Sequence, residues 1–288
     1  MYRGIILLLL AEFCFASSTV FAKFVTELSD IPAIEITFFR FFFGIFLAYA
    51  MLQKTGLSMN PNNKKFVIWR GILNTIAVIL FYTAVKNTTV TNANMLNMTY
   101  PIFIFLFMPF FGTEKIKPIQ VVYLVLSISG VYMVIQPNFH HLLYGDLIGL
   151  LSGIVGGVSV ITLRKAREYD STALIIFYLM TIGTLINGLL LITVFKMPNF
   201  LEALYMISSA LLGLAGQVFM TSGYKFIEAN KGSIISSSRI IFAVVLGVLF
   251  FNDRLNLELI VGGAFILFSV IQLTLSERRM AKINPDVE

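Results

Sequence analysis

Apolar runs of about 20 residues recur along the whole chain, and they constrain the fold more than any other feature. A run of that length crosses a hydrocarbon core of ~30 Å as an α-helix. Only 12% of the 288 residues are charged, whereas a soluble domain averages about 25%. The sequence therefore predicts an all-α, polytopic membrane protein.

The apolar runs predict ten transmembrane helices. Each run is hydrophobic throughout rather than at alternate positions, which favours a helical bundle over a β-barrel. The first run resembles a signal peptide, but Glu12 interrupts it, so we interpret it as the first span. The predicted spans are 4–26, 33–53, 66–85, 90–111, 118–136, 145–163, 172–194, 202–224, 231–251 and 257–276.

Lys and Arg residues are unequally divided between the two ends of these spans. With the N-terminus in the cytoplasm, fifteen of them, Arg70 included, are counted on the cytoplasmic side, and four on the other. Cytoplasmic loops are rich in Lys and Arg. We therefore expect both termini to lie in the cytoplasm, with the bacterial inner membrane as the location.

An internal repeat emerges when residues 80–136 are aligned with 219–275. A constant offset of 139 aligns Lys86 with Lys225 and Phe111 with Phe250 without a gap. This predicts two repeats, 1–139 and 140–288, with five spans each. Because five is odd, the two repeats would lie in opposite orientations in the bilayer.

Inverted repeats are typical of alternating-access carriers, which hold their substrate near the membrane midplane between the two halves. Some channels are also built in this way. The predicted symmetry therefore favours a carrier without excluding a channel.

Two stretches resemble the EamA-type bacterial members of the drug/metabolite transporter superfamily. The first is "ILFYTAVKNTTVTNANMLNMTYPIFIFLFMPFFGTEKIKPIQVVYLVLSISGVYMVI" (79–135), in which a polar run precedes a span with Pro101 and an acidic end at Glu114. The second, "FFRFFFG", is similar to members that move amino acids and related amine or carboxylate metabolites. The resemblance implies two sets of five spans and a small-molecule carrier.

The second half departs from the family pattern. Asp253 stands where Glu114 stands in the first half, and Ile240 matches Pro101. The neighbouring Arg239 is unusual for the family. The resemblance therefore indicates a small-molecule carrier without identifying its cargo.

Arg40 stands among five phenylalanines in "EITFFRFFFG", about 10 Å from the outer end of the second span. An arginine near a helix centre costs ~2.5–3.5 kcal/mol on insertion scales and usually faces the bundle interior or an aqueous cavity. Its planar guanidinium suits a carboxylate or phosphate. The alternatives are a pair with an internal acid, or snorkelling to the membrane interface.

Glu12 and Arg239 are two further charges within spans. Glu12 could attract a substrate amine, exchange a proton during coupling or neutralise Arg40; facing one cavity together, Glu12 and Arg40 would suit a zwitterion. Arg239, in "SIISSSRIIF", could be a second anion contact or a gate charge. Backbone and serine oxygens could equally satisfy it.

Several uncharged polar residues are candidates for the substrate path. Asn94 and Asn97 are three residues apart and can share a helix face, although amides also join helices. Tyr82 and Gln217 are weaker candidates. We expect Pro101 to kink the fourth span beside Tyr100, which would suit a gate.

Gly145, Gly149, Gly153 and Gly157 recur every four residues in the sixth span. Small residues at this spacing let another helix approach closely. We interpret this face as a packing surface.

Other sequence patterns argue against several classes of protein. There is no phosphate-binding glycine loop, and the two histidines, His140 and His141, are adjacent, which is poor spacing for a metal. We predict no enzyme activity, no cofactor and no nucleic-acid partner. The expected partners are a small-molecule substrate, the lipid bilayer and a candidate coupling proton or ion.

The sequence thus favours a secondary-active transporter of a small polar or zwitterionic metabolite that works by alternating access. A non-transporting membrane receptor or assembly protein is the alternative, and it predicts a packed midplane. An intramembrane enzyme would need paired acids or histidines at one depth, a set that this sequence lacks.

Overall fold

A computed structural model describes residues 2–28, 31–56, 58–87, 96–111, 116–135, 144–251 and 257–283. The secondary structure of these residues is helical. The helices are α1 (Tyr2–Leu28), α2 (Ala33–Thr55), α3 (Lys64–Asn87), α4 (Tyr100–Phe107), α5 (Pro118–Ile135), α6 (Tyr144–Tyr169), α7 (Thr172–Leu191), α8 (Phe200–Gly223), α9 (Ala229–Ser236), α10 (Arg239–Phe251) and α11 (Leu257–Ile283).

Seven helical segments among the described residues are long and apolar enough to cross a membrane. Three shorter apolar segments, Tyr100–Phe111, Pro118–Met133 and Ile260–Leu273, overlap the fourth, fifth and tenth predicted spans. The all-helical membrane architecture agrees with the sequence analysis, while the number of ten spans stays a prediction.

Local sequence signals determine where several helices begin and end. Asn199 and Glu202 form a reciprocal capping box at the start of α8, which satisfies two otherwise unpaired backbone N–H groups. The Ser171 hydroxyl accepts a hydrogen bond from Leu174 N at the start of α7. Gly56 ends α2 in the left-handed conformation that glycine adopts without strain.

Two segments that were predicted as continuous spans are interrupted. The first breaks at Met98 and Thr99, immediately before α4, which has Pro101 in its first turn. The second breaks at Ser237 and Ser238, between α9 and α10. The two breaks are 139 residues apart, the same offset as that of the sequence repeat.

The packing of the helices follows the same offset. Helix α3 packs on α6, and α1 packs on α8. The offset of 139 residues makes α6 the counterpart of α1 and α8 the counterpart of α3. The two contacts are therefore equivalent under the repeat. The pairs α2–α8 and α3–α7 are related in this way, as are α1–α10 and α4–α6. The pairs α2–α7 and α5–α11 each join a helix to its own counterpart.

A carboxylate joins the two sequence halves at each end of the bundle. At the end where α2 begins, Glu35 Oε2 accepts a hydrogen bond of 3.1 Å from Lys196 N. At the opposite end, Asp170 accepts hydrogen bonds from Asn62 N at 2.7 Å and Asn63 N at 3.1 Å. We call these contacts the Glu35 latch and the Asp170 latch.

The predicted glycine face of α6 is confirmed as a close-packing surface. A Cβ added to Gly153 would lie 2.7 Å from Leu96 O, and one added to Gly157 would lie 3.0 Å from Tyr100 O. The missing side chains therefore let α6 approach the segment that leads into α4.

Substituting Gly153 with alanine is expected to destabilise the protein, because the added methyl group would overlap a backbone carbonyl. Overpacking of this kind costs about 1–3 kcal/mol, which corresponds to a Tm lower by roughly 5 °C. A thermal melt of the purified protein measures the change. Gly156→Ala is the matched control, because its Cβ would lie 3.8 Å from its nearest neighbour, Tyr100 Cβ. Equal melting temperatures for the two variants would contradict the packing argument.

Several charges assigned to loops from the sequence lie on helices. Helix α6 continues to Tyr169, so Arg164, Lys165 and Arg167 occupy its last turns. Lys231 lies in α9, is 9% exposed and forms a salt bridge of 2.9 Å with Glu228. These helices extend beyond the apolar runs from which the spans were predicted.

Candidate functional site

A cavity of about 180 Å³ lies between the two sequence halves. Helices α1, α2, α3 and α4 of the first half and α6, α7, α8 and α10 of the second half contribute to its wall. The wall mixes aromatic and aliphatic side chains with several polar ones, as is common in sites for small ligands. The polar and ionisable side chains in the wall are Ser18, Thr19, Thr37, Arg40, Arg70, Asn74, Tyr82, Asn97, Tyr100, Ser159, Gln217 and Arg239.

Most of the residues predicted for the substrate path line this cavity. Glu12 and Pro101 are buried but do not line it. Asn94 lies outside the described residues. The predicted residues in the wall are Arg40, Tyr82, Asn97, Tyr100, Gln217 and Arg239.

Glu12 forms an ion pair with Arg239. The distance from Arg239 Nε to Glu12 Oε2 is 2.6 Å, and the Glu12 side chain is 0% exposed whereas that of Arg239 is 26% exposed. The suggestion that Glu12 neutralises Arg40 is therefore wrong in this structure, as is the suggestion that serine oxygens satisfy Arg239. A carboxylate 227 positions away in the sequence is its partner.

Two guanidinium groups lie over the ring of Phe15. The centre of its ring is 5.4 Å from Arg40 Cζ and 4.8 Å from Arg239 Cζ. Cations at these distances from an aromatic face are attracted by the ring quadrupole. The ring therefore helps to hold both arginines at the cavity.

Arg40 keeps free hydrogen-bonding capacity. Its Nη2 donates to Gly213 O at 3.1 Å, and its buried Nε has no partner among the described residues. A Cβ on Gly213 would lie 2.7 Å from Nε, so the glycine makes room for the guanidinium. Since a guanidinium has five N–H donors, Arg40 can still bind an anion.

Arg70 is a site residue that the sequence analysis did not identify. It was counted with the cytoplasmic charges, but it lies within α3 and is 1% exposed. Its Nη1 donates to Ser159 Oγ at 2.7 Å, and its Nε and Nη2 have no partner among the described residues. The apolar flanks in "FVIWRGIL" were the available signal for this location.

The polar residues Asn97 and Tyr100 have different environments in the cavity wall. Asn97 Nδ2 donates to Ser152 Oγ on α6 at 3.0 Å, so this amide both lines the cavity and joins two helices. The buried Tyr100 hydroxyl has no hydrogen-bond partner within the described ranges. Tyr100 thus places a buried hydroxyl in the cavity wall near Arg239.

This protein has apolar helices around an internal cavity that is lined by arginines. These features are typical of multi-pass membrane transporters. The sequence profile of the EamA-like transporter family matches residues 2–136 and 143–275. The chain therefore belongs to the EamA-like transporter family.

Relatives that match 87% or more of this chain are named as an exporter, a solute carrier and a transporter. The pseudopaline exporter CntI of Pseudomonas aeruginosa strain UCBPP-PA14 is 25% identical over 96% of this chain and 97% of its own length. Human solute carrier family 35 member G1 is 26% identical over 87% of this chain and 73% of its own length. The riboflavin transporter of Rhizobium johnstonii is 23% identical over 96% of this chain and 92% of its own length.

A protein of known crystal structure has the same fold. It superposes with a TM-score of 0.82 over 97% of this chain and 99% of its own, at 17% sequence identity. Identity at that level bears on the fold alone.

Proposed function

We propose that this protein is a secondary-active transporter of a small polar or zwitterionic metabolite, of the amino-acid-like or related amine/carboxylate class. Alternating access moves the cargo. The observation that carries the proposal is Arg40, whose guanidinium lines the cavity between the two halves and whose Nε has no partner in the described part of the chain. A cargo carboxylate would accept hydrogen bonds from this guanidinium.

Alternating access is supported by several signs of an inverted repeat. The family profile matches twice, and the helix breaks at Met98 and Ser237 are 139 residues apart. Helix contacts also recur in exchanged pairs. We propose two five-span repeats, 1–139 and 140–288, related by a pseudo-two-fold axis in the membrane plane, a symmetry that lets one arrangement open to either side.

The two latches are candidates for the gates of such a carrier. Each joins a carboxylate of one half to backbone N–H groups of the other, at opposite ends of the bundle. The exit of cargo at either end would require the latch at that end to open. We propose that Tyr100 and Pro101, at the break before α4, take part in the same movement.

The excess of Lys and Arg at one end of the spans supports an orientation with both termini in the cytoplasm, and we propose the bacterial inner membrane as the location. The Asp170 latch would then face the cytoplasm.

The Glu12–Arg239 pair is a candidate coupling group, because Glu12 Oε1 is buried with no partner among the described residues. A proton that reaches Glu12 would release Arg239 for the cargo.

The proposed function is tested by counterflow in liposomes that contain the purified protein. We expect saturable uptake of radiolabelled L-glutamate or succinate, and faster uptake when the liposomes are preloaded with the same unlabelled compound. Such acceleration is the behaviour of a carrier and not of a channel. Uptake of both probes no faster than in protein-free liposomes would overturn the proposal and favour a non-transporting membrane receptor or assembly protein. Uptake that does not saturate would indicate a channel.

A further inference from the structure

Arg70 presents a buried positive charge that neither the family comparison nor the proposed role of Arg40 explains. The side chain is 1% exposed, and it lines the same cavity as Arg40. Its one described hydrogen bond goes to the neutral hydroxyl of Ser159. An unpaired buried charge is costly, so this arginine is expected to have a partner during the working cycle.

Within the described part of the chain, the cavity holds more positive than negative charge. Arg40, Arg70 and Arg239 line it, and its lining contains no described carboxylate; the Glu12 carboxylate is bonded to Arg239. The hydrogen-bond partner of Arg70 among the described residues is the hydroxyl of Ser159. The guanidinium groups of Arg40 and Arg70 therefore have no neutralising carboxylate among the described residues.

Arg40 and Arg70 approach the cavity from opposite ends of the bundle. Arg40 lies seven residues into α2, which begins at the Glu35 latch, and Arg70 lies six residues into α3, which begins at the Asp170 latch. At 1.5 Å per residue, these depths are roughly 10 Å and 9 Å. A ligand that contacts both side chains must present anionic oxygens to guanidinium groups that extend from opposite ends of the bundle.

We propose that Arg70 is a second anion contact and that the cargo carries two negative charges, one bound by Arg40 and one by Arg70. This proposal rests on the proposed function and narrows its substrate class to a small dianion. A cavity of about 180 Å³ is below the ~300 Å³ at which pockets for drug-sized ligands begin, which favours a short cargo. Two carboxylates or one phosphate monoester would supply the charge.

Thermal stabilisation of the purified protein distinguishes these chemistries. The probes are succinate, butyrate, succinamide and glycerol 2-phosphate, which provide two carboxylates, one carboxylate, no charge and one phosphate monoester. A ligand that binds the folded state raises the apparent stability. We expect succinate or glycerol 2-phosphate to bind at least tenfold more tightly than butyrate, and succinamide to have no effect. Whichever of succinate and glycerol 2-phosphate binds more tightly identifies the anionic group of the cargo as carboxylate or phosphate. Equal affinity for succinate, glycerol 2-phosphate and butyrate would overturn the proposal without requiring any mutant.

Arg70 variants test whether this residue provides the second contact. Arg70→Met should bind succinate no better than butyrate, and Arg70→Lys should keep part of the preference because it keeps the charge. Lys65→Met is the control, because it removes an exposed charge near the same end of α3. A full dianion preference in a folded Arg70→Met protein would refute the assignment. If Arg70→Met does not fold, the affinities for succinate and butyrate are compared between Arg70→Lys and wild type. An unchanged preference for succinate in Arg70→Lys would count against Arg70 as the second contact.

The failure of this inference is distinguishable from failure of the proposed function. If L-glutamate or succinate shows counterflow but the dianions bind no better than butyrate, the transporter stands and the dianion class is wrong. If neither probe moves in the counterflow assay, the transporter proposal itself fails.

Discussion

Arg40→Met is expected to slow transport about 100-fold at low substrate concentration. The variant keeps an unbranched apolar side chain but removes the guanidinium that we assign to the cargo carboxylate. Removing one partner of a buried charged hydrogen bond costs about 2–5 kcal/mol, and each 1.4 kcal/mol is a factor of about ten in affinity. Initial rates of counterflow in liposomes, with the amount of protein measured in each preparation, provide the test.

Two variants separate the chemistry of Arg40 from its charge. Arg40→Lys keeps the charge without the planar fork, so an intermediate rate is expected. Lys64→Met removes an exposed charge at the start of α3 and should transport at the wild-type rate. Since Arg40 also donates to Gly213 O, the folding of each variant is checked by size-exclusion chromatography. Transport by folded Arg40→Met at the wild-type rate would disprove the role of this arginine.

Glu12→Gln is expected to cause a large loss of stability. Glu12 is fully buried and accepts a hydrogen bond of 2.6 Å from Arg239. The amide would leave the guanidinium without a neutralising charge, and breaking one side of a buried pair costs about 3–5 kcal/mol. Because Arg239 is partly exposed to the cavity, we expect about 3 kcal/mol and a Tm lower by roughly 10 °C.

The control for Glu12→Gln is the same substitution in an exposed pair. Glu168 lies 3.3 Å from Lys165, and its side chain is 33% exposed. Exposed pairs contribute about 0–1 kcal/mol, so Glu168→Gln should melt close to wild type. The double variant Glu12→Gln/Arg239→Gln should recover part of the stability that Glu12→Gln loses, because it removes the unpaired charge. Similar melting temperatures for Glu12→Gln and Glu168→Gln would contradict the buried pair.

The charges at the site were only partly predictable from the sequence. Arg40, Glu12 and Arg239 stand out because each interrupts an apolar run. Arg70 also interrupts one, but it lies close enough to Lys64 and Lys65 to be counted with them. The pairing of Glu12 with Arg239 depends on the packing of α1 against α10, and no local pattern encodes a contact across 227 positions.

The helix breaks show a similar limit. Pro101 predicts an interruption in the fourth span, because proline lacks the N–H that a continuous helix needs. The break at Ser237 has no proline, and a hydrophobic run there predicts one uninterrupted helix. The repeat contained the missing information, because a break near Met98 implies one 139 residues later. Local propensity alone does not reveal it.

The chemistry of the two latches bears on the direction of net flux. Both latches hold their end of the bundle through a carboxylate on backbone amides, so neither closure is built from a stronger type of bond. The Glu35 latch has one such bond and the Asp170 latch has two, so in the proposed carrier opening the Asp170 end breaks one more hydrogen bond. Since both closures use bonds that can re-form, we expect the proposed carrier to run in either direction, with the concentration gradients of cargo and coupling ion determining whether the cell imports or exports.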